Sequence, residues 1–383
     1  MSGPVVGLVS QGGARWVGGA EYIGNLARAV VAAGGSQPRL FSLATVADQW
    51  REVPAEVVPV RRWVIPYGDR MGLNRRHLRE ALRRAPVDFL FPFTYGNGNI
   101  GMNFPVQPVL GNTRWAGWIP DFQHRYLPHF FGRKDLEIRE EGIRRLLGEA
   151  PVMVMSSASA AEDLKRFHPE YGGRVEVLRF ATAPRAEWYE AANSLPELPD
   201  RYFAVCNQFW VHKNHLTVFR ALGLLARRGV RPVLVCTGAM DDNRDPAYPA
   251  KLREALEVGK VQEQVRFLGL ISRRNQVEVL RRSVAVVQPS LFEGWSTVVE
   301  DARVLGKRIL LSDIAVHREQ APPGAEYFEP ENAEALAALM EAAWNQWPAG
   351  QDLVAEGEAR RLGEARLAEV GRRLLEIAGG SRA

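Results

Sequence analysis

Short, continuous apolar runs separated by helix-length amphipathic segments recur along the whole chain, and this rhythm constrains the fold more than any other feature. VVGLVSQ, PRLFSLA, DFLFPFT, WAGWIPD, VMVMSS and RVEVLRFAT lie in the first half. YFAVCNQ, RPVLVCTG, VRFLGL, VAVVQPS and RILLSDI lie in the second. Between them stand segments with helical periodicity, among them AEYIGNLARAVVAAGG, SASAAEDLKRF, NHLTVFRALGLLARRG and SRRNQVEVLRRS. A strand with apolar residues at every position needs cover on both faces. Strands of this kind alternating with helices form parallel sheets between helical layers. The rhythm breaks at the Pro-rich, polar segment Ala183–Asp200, which reads as a linker. The expectation is an α/β protein of two doubly wound, Rossmann-like domains, residues 1–190 and 200–360, facing each other across a cleft. A helix over about 362–383 is expected to pack back and complete the first domain. The chain's 383 residues are enough for two such cores.

Composition narrows the function classes. The charged fraction, 24%, is ordinary for a globular chain. No apolar run reaches membrane-spanning length. MSGPVVGLVSQGG lacks the basic flank and cleavage pattern of a secretion signal and reads as a first strand. A cytoplasmic location is therefore expected, with the inner membrane surface as the further possibility. Cys206 and Cys236 both fall in apolar runs and read as buried free thiols. No Cys/His spacing suggests a metal, so a site without metal or cofactor is expected. The net charge is +5, yet only six residues are lysine. Nothing resembles a nucleic-acid-binding motif. The densest basic cluster runs from Arg70 to Asp88. There Leu78, Ala81 and Leu82 share one helical face, and Arg75, Arg79 and Arg83 another. That arginine face is either solvated or set against an anionic membrane surface.

The segment PSLFEGWSTVVEDARVLGK, Pro289–Lys307, carries the chemistry. It reads as strand end, loop and helix. Thr297 and Glu300 have capping-box spacing, and Gly306 closes the helix. That explanation leaves Glu293 in the loop without a structural role. Gly294 permits close backbone approach to a ligand. The amides of Trp295, Ser296, Thr297 and Val298 would gather at a helix N-terminus, where an anion is favoured. Phosphate beside a carboxylate that can accept from hydroxyl groups describes a sugar nucleotide. NQFWVHKNHLTVFRAL places Lys213 in the loop after the first strand of the second half, within reach of a phosphate. His212 and His215 flank it and read as loop-orienting residues.

These motifs resemble the retaining glycosyltransferases of GT-B fold, in the large fourth family that includes many mannosyl-, glucosyl- and rhamnosyltransferases. The resemblance covers most of the chain: GGAEYIGNLARAV, SSASAAEDLKRF, NQFWVHKNH, VRFLGLISRRNQ, QPSLFEGWSTVVEDARVLGK and SDIAVHREQ. It implies that Glu293 lies against the donor sugar and Glu300 bonds the ribose. It implies that Lys213 meets the diphosphate, and that Gly12 and Gly13 approach the donor phosphate. The base would be met near Leu270. Three departures stand out. The glutamates are one residue closer than is usual in the family. Gln208 stands where an arginine is common. The family's His-Asp pair is Pro120-Asp121 here, followed by His124. Asp121 and His124 are the candidates to take over its polar contacts, with a packing role open for His124.

The implied reaction moves a hexosyl group, with retention, from a nucleoside diphosphate sugar to a hydroxyl. The FEGWSTVVE subgroup points to GDP-mannose or a similar hexose donor, and the acceptor is a glycan, a lipid-linked sugar or a small molecule. The rivals are a sugar-nucleotide epimerase and a non-catalytic sugar-nucleotide-binding subunit. A dinucleotide-dependent oxidoreductase is disfavoured, since neither half has a Gly-x-Gly-x-x-Gly after its first strand.

Overall fold

The computed structural model describes residues 3–11, 17–61, 73–94, 107–190, 197–242 and 244–380. Their contacts form two compact units. One comprises Met1–Phe122, Arg133–Ala183 and Glu364–Ala383, and the other Gln123–Gly132 and Pro184–Gly363. The short stretch Gln123–Gly132, from the middle of the first half, thus belongs by its contacts to the second unit. The helix Leu353–Gly379 gives its beginning to the second unit and its remainder to the first.

In the first unit, seven parallel strands run in the order β3-β2-β1-β4-β5-β6-β7. They are β1 (Val6–Val9), β2 (Arg39–Leu43), β3 (Glu56–Val60), β4 (Phe89–Phe93), β5 (Arg114–Ile119), β6 (Val152–Met155) and β7 (Arg174–Val177). β3 was not expected. Its sequence, EVVPV, has Pro59 inside it, which cannot donate to a ladder. It stands at the edge of the sheet, where that loss is tolerated. Helix α1 (Val17–Ala32) follows β1. Helix α2 (Leu73–Arg84) buries Leu78, Ala81 and Leu82 and exposes Arg79 and Arg83, the expected two faces. The Arg75 side chain lies outside the described residues. Helix α3 (Ala158–Phe167) is capped by Ser157, whose hydroxyl accepts from the Ala160 amide.

In the second unit, six parallel strands run in the order β10-β9-β8-β11-β12-β13. They are β8 (Phe203–Cys206), β9 (Leu234–Thr237), β10 (Val265–Phe267), β11 (Ala285–Gln288), β12 (Ile309–Ser312) and β13 (Ala325–Phe328). Alternate residues of one strand feed different cores. Phe203, Val205 and Val287 join one cluster, while Ala204, Cys206 and Val286 join another. That is the physical reason these runs are apolar throughout: each face of the sheet is covered. Both cysteines are buried free thiols, as expected. β13, AEYF, was also missed. It is a half-buried edge strand with no continuous apolar run. Among the described residues, no helix is long and apolar enough to cross a membrane.

Strand order decides where a ligand can sit. From β8 the chain winds outward through β9 and β10, then returns to pair β11 with β8 and winds the other way. Loops leaving β8 and β11 therefore diverge at their carboxyl ends, at the switch point of the sheet where such folds hold ligands.

Candidate active site

The loops after β8 and β11 are laced together by their own backbone and by one asparagine. The Leu291 amide donates to the His212 carbonyl at 2.8 Å. Asn214 adopts a left-handed conformation, φ 55° and ψ 39°, which asparagine tolerates better than most residues. From there its Nδ2 donates to the carbonyls of Pro289 at 3.1 Å and Pro330 at 2.7 Å, while its Oδ1 accepts from Thr217. Helix α4 (His215–Arg227) starts at this anchor.

The lacing brings Lys213 onto Glu293. Lys213 Nζ donates to Glu293 Oε1 at 2.6 Å, with the side chains 14% and 9% exposed. Gln288 Nε2 at 2.9 Å and Ser290 Oγ at 2.6 Å donate to the same oxygen. No described residue donates to Oε2. The sequence singled out Lys213 and Glu293 separately, and the structure joins them. Gln288 and Ser290 were missed, although a glutamine closing the apolar run VAVVQ is the kind of buried polar residue that asks for a partner.

Glu300 has a different environment. Helix α5 (Thr297–Val304) begins after Ser296, which is its N-cap residue and makes no side-chain cap bond. The expected capping box from Thr297 is therefore not formed. Gln320 supplies what a cap would have supplied. Its Oε1 accepts from the Ser296 amide at 3.1 Å, and its Nε2 donates to the Ser296 carbonyl and to Glu300 Oε1. Glu300 has no exposed surface, and Arg303 lies 3.6 Å from its Oε2. The Ser296 amide is thus spent on Gln320 rather than open to an anion. Trp295 and Ser296 are buried, whereas Gly294 and Thr297 are half-buried. Gly306 stands just past the helix in the left-handed region, φ 61°, and an added Cβ would lie 2.7 Å from the Ala355 carbonyl.

The loop after β9 completes the rim. Gly238 has φ 126°, and a Cβ there would sit 2.1 Å from the Asn207 carbonyl oxygen, so only glycine lets these two loops pass. Gln208 Oε1 accepts from the Ala239 amide at 2.8 Å, which gives this residue a loop-holding role. Asp242 accepts from the Val211 amide at 2.8 Å and from Arg244 Nε at 2.8 Å. The Arg244 guanidinium lies over the Trp210 ring at 5.1 Å and donates to Gln123 Oε1 at 3.3 Å. At the other end of the same turn, the Tyr126 ring meets the Phe292 ring at 5.1 Å. His124 is buried on this same turn, which belongs to the second unit. Asp121 is half-buried in the first unit. Leu270, on the loop after β10, is 62% exposed. Gly12 and Gly13 lie outside the described residues.

The histidines near the site are neutral at physiological pH. Burial, with Lys213 nearby, pushes His215 down to about 3. Burial likewise takes His317 down to about 4 and His212 well below the usual imidazole range. His215 stacks on Phe209 at 4.0 Å. His317 Nδ1 lies 2.9 Å from the Ser312 carbonyl, and Ser312 Oγ donates to the Ser290 carbonyl at 2.6 Å. They pack and brace the two loops.

Residues 190–360 match the family model described as Glycosyl transferases group 1. This match lies within the second unit. Its switch-point loops hold the Lys213–Glu293 pair. No curated protein matches the chain in sequence. Solved structures match it end to end. HepE of Anabaena, in complex with UDP and glucose, aligns with a TM-score of 0.64 at 14% identity, covering 99% of this chain and 100% of that one. A glycosyltransferase from Rickettsia africae aligns at 0.63 and 14%, covering 99% and 98%. Sucrose-phosphate synthase of Thermosynechococcus elongatus aligns at 0.62 and 15%, covering 98% and 96%. What the chain shares with these proteins is the GT-B fold, and the match to the group 1 family model lies in its second half.

Proposed function

We propose that the protein is a retaining glycosyltransferase that moves a hexosyl group from a nucleoside diphosphate sugar to a hydroxyl acceptor. The observation that carries this reading is the Lys213–Glu293 contact, 2.6 Å long, at the carboxyl ends of β8 and β11 in a group 1 domain. A lysine brings a point charge for phosphate, and a carboxylate with one unspent oxygen accepts from sugar hydroxyls. A donor placed there meets the cation with its diphosphate and the carboxylate with its sugar. Lys213 then stabilises the charge that develops on the leaving diphosphate, and this electrostatic help is the main catalytic contribution of the loops. No side chain is assigned as a covalent nucleophile. Front-face attack, with the leaving phosphate taking the acceptor's proton, balances the reaction: the acceptor oxygen bonds the anomeric carbon as the phosphate oxygen leaves. His124 and Asp121 are candidates for contacts to donor sugar or acceptor, and Leu270 for contact with the base. The nucleotide sugar is the substrate, and no cofactor enters the scheme. The binding of UDP and of UDP-glucose by HepE supports the donor class.

The test is a panel of UDP-glucose, GDP-mannose, ADP-glucose and dTDP-glucose without acceptor. Slow release of one nucleoside diphosphate is expected, with a loss of about 10²- to 10³-fold in Glu293→Ala and in Lys213→Ala. Undiminished turnover in both variants would sink the assignment of the site. Binding without turnover, in the presence of glycan and lipid-linked acceptors, would favour the non-catalytic subunit.

A further inference from the structure

Asn207 follows β8 and Gln288 ends β11, the two strands that flank the switch point. Both side chains are buried, with exposures of 6% and 0%. Gln288 Oε1 accepts from Asn207 Nδ2 at 2.7 Å. Gln288 Nε2 donates to Ser290 Oγ at 3.1 Å and to Glu293 Oε1 at 2.9 Å. Chemistry sets the direction of this relay. An ionised carboxylate only accepts, so Gln288 must turn its amide nitrogen toward Glu293. Its oxygen then faces Asn207, which must donate. Every polar atom of the Gln288 side chain is used, a condition for burying an amide at the end of an apolar strand. With Lys213 and Ser290, the relay puts three donors on one carboxylate oxygen. Three donors on Oε1 lock the terminal rotation of Glu293 and leave Oε2 turned away from all of them.

We infer that Gln288, held by Asn207, is a positioning residue that aims Glu293 Oε2 at the donor sugar. The inference rests on the reading of Glu293 as the sugar-holding carboxylate. A purely structural glutamine would cost stability when replaced. A positioning glutamine costs turnover only while Glu293 is present, and it leaves the diphosphate contacts untouched.

The experiment uses the full chain and the same four donors, with Gln288→Met, Glu293→Ala and the double variant. Methionine keeps the length and volume of the side chain and removes all three amide hydrogen bonds. For the donor the wild type turns over, Gln288→Met should lower kcat by about 10- to 100-fold, the scale of a small misplacement of a catalytic group. Its calorimetric affinity for the matching free nucleoside diphosphate should stay within about twofold of the wild type. The double variant should be no slower than Glu293→Ala alone, because groups acting as a unit are not additive. Asn207→Asp is the second probe, since a carboxylate there accepts where the relay needs a donor and turns the Gln288 amide over. It should show the same kcat loss. Losses that multiply in the double variant would overturn the inference, as would full wild-type kcat in either relay variant or matching weakening of nucleoside diphosphate binding. A slow Glu293→Ala beside a full-speed Gln288→Met defeats only this inference. A full-speed Glu293→Ala, or a wild type inert toward all four donors, defeats the reading of the site and the inference with it.

Discussion

Two ion pairs in the second unit use the same chemistry to different ends. Arg281 is 1% exposed and holds Glu356 by two parallel bonds of 2.9 Å each, while its third nitrogen donates to Glu278 at 3.2 Å. All three nitrogens of its planar fork are engaged, and both carboxylates are buried with it. Lys213 and Glu293 are joined by a single contact at the rim, and Glu293 keeps an oxygen that no described residue engages. The first pair ties the start of the Leu353–Gly379 helix to the helix Arg273–Arg282. The second leaves bonding capacity for a guest. Whether a salt bridge serves architecture or chemistry is thus read from the hydrogen bonds it leaves unmade and from its place on the sheet.

The comparison breaks most visibly at Arg281. Arg281→Met leaves two buried carboxylates without their cation and should cost about 3–5 kcal/mol in denaturant unfolding. Donor turnover per folded molecule should stay near the wild-type value. A catalytic defect at unchanged stability would erase the distinction. Lys213→Ala should do the reverse. Its unfolding free energy should fall by less than that of the Arg281 variant, because only one buried carboxylate loses its cation and Glu293 keeps two donors. Its turnover should fall as stated above, and a stability loss on the scale of the Arg281 variant would place both pairs in one class.

Two smaller effects sharpen the contrast through pH. The folded pKa of His215 is about 3 against an ordinary 6.5, so the unfolded chain takes the proton first. Stability is held above pH 6.5 and lost as pH falls toward 3, and His317, at about 4, adds to the loss. His215→Phe should therefore flatten the fall of unfolding free energy below pH 6.5, and an unchanged slope would contradict the buried neutral imidazole. The smallest effect belongs to Lys307, which donates to the carbonyls of Ser283 and Gly350 and is driven by burial down to about 8, from 10.5. Between those values the unfolded state binds more protons, so rising pH favours the fold. The wild type should gain stability relative to Lys307→Met across that window, as measured by denaturant titration.

The sequence made the two wound halves legible because buried parallel strands write themselves as unbroken apolar runs. It hid the edge strands. Pro59 breaks the pattern of β3, and β13 needs apolar residues on only part of its surface. At the site, Lys213 and Glu293 were legible from loop position and chemistry. Their contact was not, since it depends on which strands lie side by side. The capping-box reading of Thr297 and Glu300 failed for a related reason: a competing partner, Gln320, reaches Ser296 from another helix. Asn207 and Gln288 carried a weak signal as amides closing apolar runs. In the turn Gln123–Tyr126 the sequence singled out His124, but not the contacts of Gln123 and Tyr126, because their partners Arg244 and Phe292 are far away in sequence.

The helix Leu353–Gly379 has a consequence in time. Its later turns belong to the first unit, where Leu367 packs against Ala29 and Ala183, and Gly371 lets the helix press on the Ala29 carbonyl. Synthesis proceeds from the N-terminus, so every strand of the first sheet leaves the ribosome before the segment that seals part of its core. The second unit can close on schedule, and the first must wait for it.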